Sequence, residues 1–185
     1  MSKITELLGL YIPTEYLIPM IVSHLNDQEA KQVPMFVQSC LMALSCVIIN
    51  SSVNFAEQFD AQVDQLLDLI ISSDYLQSEN VDVLARTAIV THNIVYAGGA
   101  LSCKPRQHNL FKILLQLGSS PLLEMQRAQV NGTLNLLAKH CGMEEASDLF
   151  SSELESLIRE MKEDYENWTR GSPQRFIFDL LVRRS

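Results

Sequence analysis

Apolar residues return along this chain at one fixed interval, and two separate series of them do so. Leu17, Val63, Leu110 and Leu157 lie about 46, 47 and 47 residues apart. Val37, Leu84, Val130 and Phe176 lie about 47, 46 and 46 apart. A further register agrees: Ile21, Leu67, Leu114 and Met161 keep the period, as do Leu41, Ala88, Leu134 and Leu180. The two series are offset by about 20 residues, room for one helix and a short turn. A helix pair of this size cannot bury its apolar face alone and must stack on a neighbour. A four-helix bundle would not need two helix sets in one register. The spacing therefore predicts an all-α chain, an α-solenoid of about four antiparallel helix pairs wound as a superhelix.

Local patterns place the helices. Tyr16 to Leu25 reads as a compact helix with Thr14 as its N-cap, broken at Asn26-Asp27-Gln28. Pro34 suits the first turn of a helix running to Asn50. Phe59 to Ile71 is amphipathic, and Ser78 to Ala97 is expected to stop at Gly98-Gly99. Arg106 to Leu117 should stop at Gly118, and Pro121 to Cys141 at Gly142. Ala146 to Trp168 reads as a long acidic helix, and Gln174 to Arg183 as a last one. The repeats are thus expected at about 14–50, 59–97, 106–141 and 146–184 within one domain, with 2–10 ending a preceding repeat. Leu84, Thr87, Ala88, Thr91, Ile94 and Val95 form one apolar face, yet Val83, Ile89 and Val90 lie outside it. A helix packed between neighbours on both sides has that pattern. The ending from Ser172 to Ser185 is expected to cap Leu154, Leu157, Ile158 and Met161 with Phe176, Ile177 and Leu180.

Charge and length exclude several classes. The net charge of −8 disfavours nucleic acid or an anionic membrane as ligand, because both require excess Lys and Arg. No apolar run approaches the ~20 residues of a membrane span. No signal-peptide pattern stands between Met1 and Tyr11, so a cytoplasmic location is expected, with Cys40, Cys46 and Cys141 as buried thiols.

The stretches from Val33 to Ile49, Asn80 to Val95 and Val130 to Ala138 resemble the second helix of a HEAT repeat. The Asp and Val-Arg of the usual HEAT turn are matched only by Asp82 and Arg86. Leu7-Leu8-Gly9-Leu10-Tyr11-Ile12-Pro13, the run from Leu17 to Leu25, and the run from Ser172 to Leu181 are similar to the late repeats of the HEAT-repeat dynein axonemal assembly factors. That resemblance implies a cytoplasmic, non-enzymatic factor for preassembly of dynein arms. Its partners would be dynein chains, other assembly factors or chaperones. A general HEAT adaptor in transport or a signalling complex is the alternative, and a HEAT-like nucleic-acid enzyme a more remote one.

No chemistry-bearing motif emerges. His24, His92, His108 and His140 fall in different helix pairs. Cys103 with His108, and His140 with Cys141, lack a second pair at zinc-ligand spacing. No Gly-x-Ser-x-Gly, phosphate loop or His-Glu-x-x-His occurs. The expectation is no catalytic residue, metal, cofactor or small-molecule substrate. The acids from Glu144 to Glu166 are read as a solvated face in preference to a docking site for a basic partner. Met42, Arg86, Ile89, Asn93, Asn135 and Lys139 are placed opposite the core on the second helices, the concave side of such an array. Met42 and Ile89 are either partner contacts or packing between repeats.

Overall fold

The computed structural model describes residues 13–51, 56–72, 74–164 and 175. The chain is all-α. Eight α-helices follow in order among the described segments: α1 (Thr14–Asn26), α2 (Gln28–Lys31), α3 (Pro34–Ser51), α4 (Ala56–Ser72), α5 (Val81–Cys103), α6 (Gln107–Ser119), α7 (Arg127–Cys141) and α8 (Ala146–Asp164). Short 3-10 turns at Asp74–Gln77, Lys104–Arg106 and Pro121–Gln126 join them. The helices expected at 4–10 and 174–183 lie outside the described residues, as do Phe176, Ile177 and Leu180.

Contacts between helices follow two rows. In one, α1 touches α4, α4 touches α6, and α6 touches α8; in the other, α3 touches α5 and α5 touches α7. The pairs α1–α3, α4–α5 and α6–α7 join the rows. The spaced residues sit where the rows meet: Leu17, Val63, Leu110 and Leu157 are buried, and so are Val37, Leu84 and Val130. Val83 and Val90 are buried as well, because α5 has α3 on one side and α7 on the other. Thr87 and Thr91 can be buried there because each hydroxyl donates to the carbonyl four residues back, Val83 and Thr87, at 2.9 Å.

Local chemistry sets the ends of these helices, and in several places it corrects the sequence reading. Thr14 is the first helical residue rather than the cap, and Pro13 precedes it. The break expected at Asn26-Asp27-Gln28 is followed at once by α2. Helix α5 starts at Val81, three residues later than expected, because the Asn80 side chain accepts from the Asp82 and Val83 N–H groups at 3.0 and 3.2 Å. Gly118 lies inside α6, and Pro121–Gln126 is a 3-10 turn before α7. At Gly142 the stop holds. Its φ of 87° lets its own N–H reach Lys139 O at 3.1 Å and the Met143 N–H reach Ala138 O at 2.9 Å.

The stop expected at Gly98-Gly99 also holds: Gly99 leaves the helical conformation there, and a short second helix carries α5 on to Cys103. Gly99 has φ 53° and ψ −156°, a conformation open almost only to glycine. The turn brings Ser102 over Gly98, where a Cβ would come within 2.6 Å of Ser102 Cβ. One glycine supplies backbone freedom and the other supplies space. Gly99→Ala, with nothing within 4 Å of its new Cβ, should cost about 1–3 kcal/mol from backbone strain alone. Chemical denaturation of the two proteins measures it, and equal midpoints would refute the assignment.

Candidate functional site

The outer side of the α3–α5–α7 row is built by spacing. On α3, Val37, Leu41, Leu44 and Ile48 face the core. Met35 and Met42, seven residues apart on the opposite side, are 77% and 39% exposed. On α5 the matching side holds Asp82, Arg86, Ile89 and Tyr96; on α7 it holds Ala128, Gly132, Asn135 and Lys139. Arg86 and Ile89 are half-buried, whereas Asn135 and Lys139 are exposed.

Two polar ties lock the register of this row. Asn93, expected on the open face, is only 6% exposed. Its Nδ2 donates to Ser45 Oγ at 2.6 Å and Ser45 O at 3.3 Å, joining α5 to α3. On the other side of α5, His92 Nδ1 lies 2.9 Å from Thr133 Oγ1. The Thr133 hydroxyl donates to Gln129 O at 2.9 Å, so its proton is committed and His92 Nδ1 must be the donor. Burial pushes the His92 pKa down, which favours this neutral ring. Tyr96 stacks on the imidazole with ring centroids 6.3 Å apart and is itself 59% exposed. Asn135 is also structural in part, since its Oδ1 accepts from Ala146 N–H at 3.2 Å, at the start of α8. Of the six residues proposed from sequence, Met42, Arg86, Ile89 and Lys139 present their side chains on the outer face, Asn135 is shared with α8, and Asn93 is enclosed.

Charge is sorted between the rows. Helices α3, α5 and α7 carry three bases (Arg86, Arg127, Lys139) and one acid (Asp82). Helices α1, α4, α6 and α8 carry three bases (Lys112, Arg159, Lys162) against Glu15, Glu57, Asp60, Asp64, Asp68, Asp148, Glu153, Glu155, Glu160, Glu163 and Asp164. Between the helices of the two rows, the acidity therefore belongs almost entirely to one.

Sequence reasoning missed that part of this acidity is spent on locking neighbouring helices together. Arg106 inserts its guanidinium between Asp60 Oδ1 (2.7 Å) and both oxygens of Asp64 (2.6 and 2.8 Å) on α4. Between α6 and α8, His108 places Nδ1 2.6 Å from Glu153 and Nε2 2.8 Å from Glu160. Lys112 reaches Glu160 at 2.7 Å, and Gln107 donates to Glu153. These partners are 42 to 52 residues apart, about one repeat. The readable signal was opposite charges one period apart. Glu153 is buried rather than part of a solvated face, whereas Glu144, Glu145, Asp148 and Glu155 are exposed.

The hydrogen bond from Arg106 holds the Asp64 carboxyl below its usual range, and that from Lys112 does the same for Glu160. A carboxyl depressed in the folded state stabilises the fold above its unfolded pKa and loses that contribution as pH falls through the folded pKa. The melting temperature should therefore fall below about pH 4, the unfolded carboxylate range, and fall less steeply in Lys112→Met. A parallel acid limb in the variant would remove Glu160 from the account.

The remaining polar features offer little chemistry. A cavity of about 200 Å³ is lined by Lys31, Pro34, Val37, Tyr75, Asn80 and Val83, among others. Tyr75 donates its hydroxyl to Leu25 O at 2.6 Å, and burial pushes its pKa up to about 12. Asn80 is occupied in capping α5. Among the described residues no cluster of three His, Cys, Asp or Glu could hold a metal ion. No disulfide joins the cysteines; Cys103 is the buried one, while Cys40, Cys46 and Cys141 are half-buried, against expectation. Cys40 and Cys46 flank the stripe of Leu41, Leu44 and Ile48 instead of lying on it. Burial pushes the Cys103 thiol up to about 12, and its Sγ donates to Val95 O at 3.6 Å. Among the described residues no helix is long and apolar enough to cross a membrane. In comparisons with protein-family models, curated proteins and solved structures, no match to this chain was found.

Proposed function

We propose that this chain is a HEAT-type solenoid of about four helix pairs and acts as a non-catalytic scaffold that binds protein partners. The observation that carries this reading is the two helix rows with their buried 46–47-residue registers. Repeats of this kind bury a continuous core and leave one long helical surface for recognition. The sorting of charge and the exposed Met35, Met42 and Tyr96 support α3–α5–α7 as that surface. The resemblance of the runs from Leu7 to Leu25 and from Ser172 to Leu181 directs the proposal further, to cytoplasmic preassembly of axonemal dynein arms. In that role the chain holds dynein chains, assembly factors or chaperones and turns over no substrate.

Affinity purification of the tagged full chain from ciliated cells, with mass spectrometry of what accompanies it, tests the role. Dynein chains together with chaperones are the expected outcome. Recovery of transport or signalling complexes without them would replace the dynein role by the adaptor alternative. Retardation of duplex DNA or RNA at physiological salt would overturn the protein-binding reading itself.

A further inference from the structure

We infer that the α3–α5–α7 face receives an acidic amphipathic helix from its partner, with apolar residues over α3 and α5 and carboxylates toward α7. This rests on the scaffold reading above and adds the chemistry of the occupant. One repeat step converts Met42 into Ile89 and then Asn135, and the next outer position on α7 is Lys139. The surface thus runs from apolar to basic along one line. Helix α3 carries no charged residue at all. Adjacent helices pack ~8–10 Å apart, so three of them span a distance that ~12 residues of helix would cross.

The anchor for such a segment is preorganised. Thr133 fixes the His92 ring, and His92 supports Tyr96 from beneath, so the tyrosine loses little freedom on contact. Beside Lys139 the α7 surface is open at Gly132, which has no heavy atom within 4 Å of its would-be Cβ. Arg86 on α5 and Lys139 on α7 are the bases of this outer side, against Asp82 as the one acid on the outer side of the three helices. A basic segment would find no such partner on this row and belongs, by charge, to the opposite one.

Selection of a random 16-residue peptide library displayed on phage, against the immobilised full chain, tests the inference. Enriched peptides are expected to carry net negative charge and apolar residues at i, i+3, i+4 and i+7. Synthetic copies should bind at least tenfold more weakly to Tyr96→Ala and to Lys139→Glu, both exposed sites whose melting temperatures should stay near that of the parent chain. Enrichment of basic or uncharged peptides would overturn the inference, as would affinities unchanged by both variants. Sedimentation showing self-association abolished by Lys139→Glu would also overturn it, because the occupant would then be the acidic row of a second copy. These failures leave the scaffold reading standing if partners still co-purify with the chain.

Discussion

Phe111→Ala is expected to destabilise the chain by about 3–5 kcal/mol, the largest loss of any single truncation considered. Phe111 is fully buried on α6, and its ring meets that of Phe150 on α8 edge-on, with centroids 4.9 Å apart. Removing it takes away a large apolar surface and leaves a cavity between two helices that touch nowhere else through rings of this size. It also removes the aromatic pair, worth about 0.5–1.5 kcal/mol beyond area. Because Phe111 sits between neighbouring units, the damage should spread to α8. Hydrogen exchange should show α8 losing protection before α3. Phe111→Leu, which nearly keeps the volume, should cost less than about 1.5 kcal/mol. Denaturant titration distinguishes the two. A loss below about 1 kcal/mol in the alanine variant would mean that the site collapses freely and that α6 and α8 are not locked through this contact.

Arg106→Ala should cost about 2–3 kcal/mol, in the range for lost hydrogen bonds to charged groups. The arginine side chain is 12% exposed, and it also donates to Ser102 O and Asp60 O, at 3.2 and 3.3 Å. Without it, Asp60 and Asp64 stand one helical turn apart on α4 with no cation between them, a repulsive arrangement. Asp64 is 68% exposed, so water recovers part of its loss and the estimate stays below that for a fully buried pair. Arg106→Lys keeps the charge but not the two-pronged contact with Asp64, so it should recover less than half of the stability. The coupling is isolated by a double-mutant cycle with Asp64→Asn. Additivity within about 0.3 kcal/mol would show that the contact contributes nothing of its own.

Much of the architecture was legible without coordinates. Helical periodicity and the 46–47-residue register depend only on which residues are apolar, and every spaced anchor whose burial is described proved buried or nearly so. The two-sided apolar pattern of α5 likewise announced a helix with neighbours on both sides. Backbone punctuation was legible where its cause is local, as at Pro34, Gly98-Gly99 and Gly142. At Gly118 the helix runs one residue further, to Ser119, because glycine permits an end to a helix without requiring one. Tertiary structure alone decided the polar contacts. Asn93 looked like a surface residue because its helical position faces away from the core, yet α3 approaches closely enough for Ser45 to enclose it. Glu153 and Glu160 looked like part of a solvated stripe until α6 brought Gln107, His108 and Lys112 against them. The physical reason is the range of each effect. Burial is an average over a helical face and survives small shifts, so sequence spacing predicts it. A hydrogen bond exists only within a few tenths of an ångström, and that depends on where helices one repeat apart come to rest.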